Sequence, residues 1–244
     1  MARGCALPIL RTESLSIRFG GLVALGGVDL DLGKDEILGV IGPNGAGKST
    51  FINVVSGVYL PTSGKVFFDG QDVTLEPAHR RCRLGIGRTF QLIHPLTDMT
   101  VLQNIMVAAL FGRGMNQKQA RAEAHAIGET LGLSGLDRDV SSLTVLEVKK
   151  MEIARALASR PKVLFLDEVM AGLNVDETDQ LIAAVQGIRS RGMAICVVEH
   201  VMSVIRQLTD RVVVLDSGQI IAEGLYEDVS SNPRVISAYL GEED

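Results

Sequence analysis

Short apolar runs and alternating patterns fill the first ninety or so residues. "SLSIRF" alternates apolar and polar positions, "LVALGGVDLDL" follows it, and "EILGVIG" is an uninterrupted apolar run ending in glycine. A period of two reads as a strand with one buried face, and an uninterrupted run as a strand buried on both. After a helical stretch, "GKVFFDGQDV" reads as a strand and turn punctuated by Gly64 and Gly70. From about Pro95 to Arg160 the spacing becomes helical. "MTVLQNIMVAAL" carries one apolar face, and "NQKQARAEAHAIGETLGL" opens at Asn116 and is rich in helix formers. "KVLFLDE", "MAICVVEH" and "RVVVLDSG" are again buried-strand runs, separated in part by the helical "DETDQLIAAVQGIRSRG". Strands alternating with helices predict a parallel sheet with crossover helices. The expectation is an α/β chain with a mostly helical block inserted in a sheet domain, and with no internal repeat.

Composition changes this picture little but excludes several function classes. At 244 residues, 46% hydrophobic and 22% charged, the chain can bury a sizeable core. Its net charge of −5 offers no electrostatic grip on nucleic acid or on an anionic membrane, so no nucleic-acid partner is expected. Cys5, Cys82 and Cys196 are scattered and form no C-x-x-C pair. This argues against a disulfide framework or zinc site and fits a reducing cytosol. The apolar runs are strand-sized, far short of a membrane span. "CALPIL" near the start is followed by acidic Glu13 with no small-residue cleavage site, so no signal peptide is expected and membrane association would come through a partner.

The chemistry lies in two motifs. "GPNGAGKST" (Gly42, Pro43, Asn44, Gly45, Ala46, Gly47, Lys48, Ser49, Thr50) fits G-x-x-x-x-G-K-[ST] between a buried strand and a helix. Glycines there let backbone N–H groups turn inward around phosphate oxygens. Lys48 brings a point charge to the β- and γ-phosphates, Ser49 brings a hydroxyl to Mg²⁺, and the helix N-terminus adds its dipole. "VLFLDE" is an apolar strand ending in Asp167 and Glu168. In this context Asp167 would hold Mg²⁺ through water and Glu168 would polarise the attacking water. A phosphate loop alone would also fit a kinase or GTPase, but nothing resembles a second-substrate site.

With these motifs in order, the chain resembles, over essentially its whole length, the nucleotide-binding subunit of an ATP-binding cassette (ABC) transporter. That resemblance implies a P-loop NTPase fold: a RecA-like mixed sheet core, an antiparallel β subdomain, and a helical subdomain of about 95–160 inserted in a single domain of 1–244. It places Gln91 of "RTFQ" at the glutamine that contacts Mg²⁺ and water, and His200 of "VVEH" at the histidine that contacts the γ-phosphate. Ala171, Gly172, Leu173 and Asn174 occupy the loop that crosses to a second subunit, and Phe19 stands where an aromatic ring meets adenine. "FGGLVAL", "RTFQ", "DEVMAGLN" and "NPRVISAYLGEED" are similar to the LivG-type ATPases of branched-chain amino-acid importers. The implied cofactors are ATP and Mg²⁺. The implied partners are transmembrane permease subunits, a second ATPase subunit and, indirectly, a solute-binding protein, at the cytoplasmic face of the plasma membrane. A lipopolysaccharide-extracting ATPase and a soluble ABC ATPase remain the alternatives; the former differs at the glutamine loop, and the latter usually carries coiled-coil insertions or basic arms.

The chain departs from the family pattern in three motifs. Val169 replaces a proline after the acidic pair, and Asn174 replaces an aspartate in the crossing loop. More sharply, the signature Leu-Ser-Gly-Gly-Gln becomes Leu143, Thr144, Val145, Leu146, Glu147 before "KKMEIARALA". Thr144 and Glu147 make a T-x-x-E capping box for a helix with Val148, Met151, Ala154 and Leu157 on one stripe. In the family this helix N-terminus meets the γ-phosphate held by the opposite subunit. Leu146 is expected to obstruct that approach and Glu147 to oppose its charge, so a heterodimer with an intact partner signature is favoured over a homodimer. His79, His94, His125 and Cys196 read as ordinary structural or surface residues, and Met99, Met106 and Met115 as filling of the helical block.

Overall fold

The computed structural model describes residues 7–90 and 95–240 of the 244-residue chain. Strand β1 (Leu10–Phe19) pairs antiparallel with β2 (Leu22–Leu32) on one side and β4 (Ser63–Phe68) on the other. The edge strand β5 (Gln71–Asp72) completes a four-stranded sheet ordered β2-β1-β4-β5. A second sheet of six strands is ordered β10-β9-β3-β8-β7-β6. Its members are β3 (Ile37–Ile41), β6 (Ile86–Arg88), β7 (Val163–Asp167), β8 (Ala194–Val198), β9 (Arg211–Asp216) and β10 (Gln219–Gly224). All its pairings are parallel except the β9–β10 hairpin. The fold is therefore the mixed-sheet P-loop architecture with an antiparallel β layer.

The uninterrupted apolar runs follow from how this larger sheet is covered. Along β7, Val163 and Phe165 join a core shared with the four-stranded sheet and the helix α1 (Lys48–Val55), while Leu164 and Leu166 join the core on the opposite face. Along β8, Cys196 and Val198 face the first core and Ile195 and Val197 the second. A strand buried on both faces has no polar positions to spare.

The second core is closed by α3 (Val101–Arg113), α4 (Gln117–Thr130), α5 (Val145–Ala158) and α6 (Val175–Arg189). Thr100, Asn116, Thr144 and Asn174 each open one of these helices with a reciprocal capping box. The short helices α2 (Ala78–Leu84) and α7 (Met202–Leu208) precede β6 and β9, and α8 (Tyr226–Ser230) and α9 (Pro233–Leu240) end the described chain. Because β3, β7 and β8 run parallel, the loops after Ile41, Asp167 and Val198 emerge at one edge of the sheet. Open α/β sheets bind ligands at that edge.

Candidate active site

Gly42 to Gly47 join β3 to α1 in a turn that other residues could not make. Gly42 has φ 149° and Gly47 has φ 104°. A Cβ on Gly42 would lie 2.0 Å from the Leu215 carbonyl oxygen, and one on Gly47 would lie 2.7 Å from that of Ala24. The loop is thus pressed between β9 and β2, and backbone faces the space where side chains would otherwise stand. With Gly47 as its N-cap, α1 has no side chain capping its first turn. Its leading N–H groups and dipole are left for an anion, in contrast to the four capping-box helices.

Lys48 bends back across the loop, its Nζ donating to Gly42 O at 2.7 Å and Pro43 O at 2.9 Å. Burial lowers its pKa, and the charges of Glu168 and Asp167 oppose that shift. Asp167 is 2% exposed at the end of β7, and its Oδ1 has no hydrogen-bond partner among the described residues. Burial raises its pKa, with Arg88 and Lys48 pulling the other way. Its N–H donates to Thr89 Oγ1 at 3.2 Å. Glu168 follows at φ 51°, its N–H donating to Val198 O at 2.9 Å. This left-handed residue turns the chain at the strand end and puts Glu168 on the wall of the same cleft as Lys48.

That cleft, of about 550 Å³, is lined by Asn44 to Thr50, by Glu168, by Ser217 and Gly218, and by Phe19 to one side. Phe19 is 45% exposed and packs edge-to-face on Tyr59, with ring centroids 5.3 Å apart. A ring braced from the side with an open face suits a flat base. A neighbouring cleft of about 300 Å³ brings Ala171, Gly172, Leu173 and Asn174 together with His200. Asn174 Oδ1 accepts from the Glu177 N–H at 3.0 Å, so its acceptor is occupied by the α6 cap. Val169 is buried against the helical core. Gln91 and His94 lie outside the described residues.

Mg²⁺ fits this donor set. A buried carboxylate oxygen within electrostatic reach of Lys48, the residue before Ser49 on α1, is the hard ligand such a cation takes.

Two residues here escaped sequence reasoning. Glu199, 1% exposed, accepts the Met170 N–H at 2.8 Å through Oε1, while its Oε2 has no hydrogen-bond partner among the described residues. Burial raises its pKa. It ties the turn after Glu168 to the segment carrying His200. The signal was the acid directly behind the "AICVV" run, overshadowed by the histidine beside it. Lys149 is the other, buried on α5 with Nζ donating to the Glu168 carbonyl oxygen at 3.4 Å.

The α5 N-terminus corrects one expectation. Leu146 is 8% exposed and packs into the helical core, so it does not obstruct the helix end; Val145, 54% exposed, is the side chain that stands there. Thr144 Oγ1 accepts from the Glu147 N–H at 3.3 Å and lies 3.2 Å from Glu147 Oε2, while the Thr144 N–H donates to that oxygen at 2.9 Å. Glu147 is also paired with Arg138. The Thr144 N–H, then Arg138, hold its carboxyl below the ordinary glutamate range. The cap thus keeps both its hydroxyl and a carboxylate for itself.

A lysine that opens the helix after a glycine-rich loop, its charge set against two acids at the end of a parallel strand of the same sheet, defines a P-loop nucleoside-triphosphate hydrolase. Comparison with known proteins narrows the class. A profile described as ABC transporter matches residues 25–171, and one described as branched-chain amino acid ATP-binding cassette transporter matches 219–244. The chain belongs to the ATP-binding cassette family of ABC transporters, and it is a transport ATPase. Among its relatives, the probable branched-chain amino acid transport ATP-binding protein LivG of Archaeoglobus fulgidus is 40% identical, over 98% of this chain and 97% of that one. BraF of Pseudomonas aeruginosa, a high-affinity branched-chain amino acid transport ATP-binding protein, is 36% identical over 96% and 98%. LivG of Escherichia coli K12 is 37% identical over the same shares. A nucleotide-free ATP-binding cassette from an ABC transporter superposes with a TM-score of 0.89 at 33% identity, covering 97% of this chain and all of that one. An ADP-bound cassette gives 0.88 at 34%, with the same coverage.

Proposed function

We propose that this chain hydrolyses ATP to drive a membrane permease that imports branched-chain amino acids. The observation that carries the catalytic part is Lys48 held across the loop from Asp167 and Glu168, with one Asp167 oxygen left open. Backbone N–H groups of Gly45 to Lys48 and the uncapped α1 terminus receive the β- and γ-phosphates, and Lys48 neutralises them. Ser49, Asp167 and Gln91 hold Mg²⁺, which when bound withdraws charge from the phosphate oxygens. Glu168 orients the attacking water and takes its proton, His200 contacts the γ-phosphate, and Phe19 stacks on adenine. The full-length relatives named for branched-chain amino acid transport favour the importer over a lipopolysaccharide-extracting or soluble ATPase.

The chain acts as one domain of 1–244, with the helical block of about 95–160 facing the permease. A cavity of about 380 Å³ between α2, the β6 end, α3 and α5 supports this contact; it is lined by His79, Cys82, Phe90, Val107, Ala108 and Glu152. A largely apolar groove of this kind receives a short helix. No described helix is long and apolar enough to cross a membrane. The relatives named as transport ATP-binding proteins support a peripheral subunit at the cytoplasmic face. The nucleotide sites form with a second ATPase subunit, to which this chain offers Ala171–Asn174 and the Thr144–Glu147 helix end. That end, with Val145 exposed and a paired carboxylate on its donors, is a poor seat for phosphate, which favours a heterodimer. The solute enters through a binding protein and the permease.

Uptake of labelled leucine tests the assignment. Deleting the gene should abolish saturable uptake, and restoring the wild type but not Glu168→Gln should recover it. Undiminished leucine uptake in the deletion strain would contradict the substrate.

A further inference from the structure

Arg88, Thr89 and Phe90 follow one another at the end of β6 and make different contacts. Phe90 is 51% exposed and lines the groove just described. The Arg88 guanidinium stacks on its ring, 4.5 Å from the centroid. Nη1 of the same guanidinium donates to Asn53 Oδ1 at 2.7 Å and to Ser56 Oγ at 3.0 Å. Asn53 lies in the last turns of α1 and Ser56 is its C-cap. Thr89 is buried, its N–H and hydroxyl both directed to Phe165 O, at 2.9 and 3.4 Å, while Oγ1 accepts the Asp167 N–H.

Phe90 therefore faces the groove, Arg88 borders it and also holds the far end of the helix that begins with Lys48, and Thr89 holds the strand end that carries Asp167 and Glu168. An eight-residue helix is a rod about 12 Å long, so displacement at Asn53 is carried to Lys48. The bonds from Arg88 to α1 are charge-assisted, the stronger class of neutral-acceptor contact. We propose that Arg88, Thr89 and Phe90 form a positioning element that links occupancy of the groove to both halves of the phosphate site. The proposal rests on reading the groove as the permease contact. None of the three is a catalytic residue; each acts through a neighbour.

Contiguity is not coupling, but the Arg88–Asn53 bond joins two side chains, and Asn53 belongs neither to the groove lining nor to the phosphate loop, so Asn53→Ala cuts the bond from outside both. The test uses the transporter isolated in detergent through a tag on this chain. It compares ATPase turnover in the complex with that of the ATPase subunits free of membrane subunits. Asn53→Ala should leave the recovery of membrane subunits and the free subunits' KM and kcat unchanged, yet lower the complex-to-free ratio about fivefold or more. Arg88→Lys, which keeps the charge but loses the fork, should lower the same ratio. Combining Asn53→Ala with Phe90→Leu should lower it no further than the larger single effect. An unchanged ratio in both Asn53→Ala and Arg88→Lys would overturn the link. Failure of the wild type to recover any membrane subunit would instead overturn the permease reading on which it rests.

Discussion

Replacing Asp167 by asparagine should separate what this site does from what it costs the fold. The carboxylate is 2% exposed and its Oδ1 has no hydrogen-bond partner among the described residues. A buried polar atom left without a partner destabilises by about 1–3 kcal/mol. Here the charges of Arg88 and Lys48 offset part of that, while Glu168 adds to it. Burial dominates, so the folded-state pKa lies above the ordinary 3.8. The folded chain then holds this proton more tightly than the unfolded chain. The group's contribution to stability is full below 3.8 and is lost as pH rises through the elevated folded value. Asparagine keeps the shape and removes the charge. In EDTA at pH 8, Asp167→Asn should be more stable than wild type by about 1–2 kcal/mol, or about 2–8 °C in melting temperature for a chain of this size. The advantage should shrink as pH falls toward 3.8. The same variant should lose Mg²⁺-dependent hydrolysis by about 100-fold or more. Circular-dichroism melts and phosphate release measure the two effects. A variant less stable than wild type in EDTA would refute the reasoning, because the carboxylate would then be a structural partner and not an open ligand.

Other perturbations test other parts of the account. Leu146→Ala should lower stability by about 2–4 kcal/mol in urea unfolding, whereas Val145→Ala should stay within about 0.5 kcal/mol; equal effects would contradict their opposite burial. Phe19→Ala should weaken ATP binding about 2- to 10-fold in fluorescence titrations, with Phe19→Tyr restoring it; an unchanged Kd would remove Phe19 from the site. Arg81 donates to four carbonyl oxygens, of Val54, Val55, Thr74 and Glu76, at 2.7–2.8 Å. Arg81→Met should therefore cost about 3–5 kcal/mol, since those buried acceptors lose a charged donor together; wild-type stability would show that water replaces it.

Much of this was readable along the chain because local pattern and final environment agree. The "KVLFL" and "AICVV" runs must be covered on both faces, and they are. The phosphate loop is legible because its geometry tolerates few residue types, and the helix starts at Asn116 and Thr144 because a cap needs particular side chains at fixed spacing. What escaped depends on rotation and on contacts distant in sequence. Val145 and Leu146 are adjacent apolar residues, and only the packing of α5 against the other helices decides which one is exposed. Arg80, Arg81 and Arg83 look alike in "AHRRCRL", yet Arg81 alone of the three is fully buried, because α2 lies against the end of α1. The open oxygen of Asp167 is a property of everything around it, which no spacing encodes.

The proposed function turns on one asymmetry: Lys48, Asp167 and Glu168 serve this chain's own pocket, while the helix end proposed to meet a partner's nucleotide is occupied by its cap. Steady-state ATP hydrolysis, measured for the purified chain alone and then mixed with a second ATPase subunit carrying an intact Leu-Ser-Gly-Gly-Gln signature, tests it most directly. The account predicts little turnover alone and a rise of about tenfold or more on mixing, abolished by Glu168→Gln in this chain. Full turnover by this chain alone, unchanged by the partner, would contradict it.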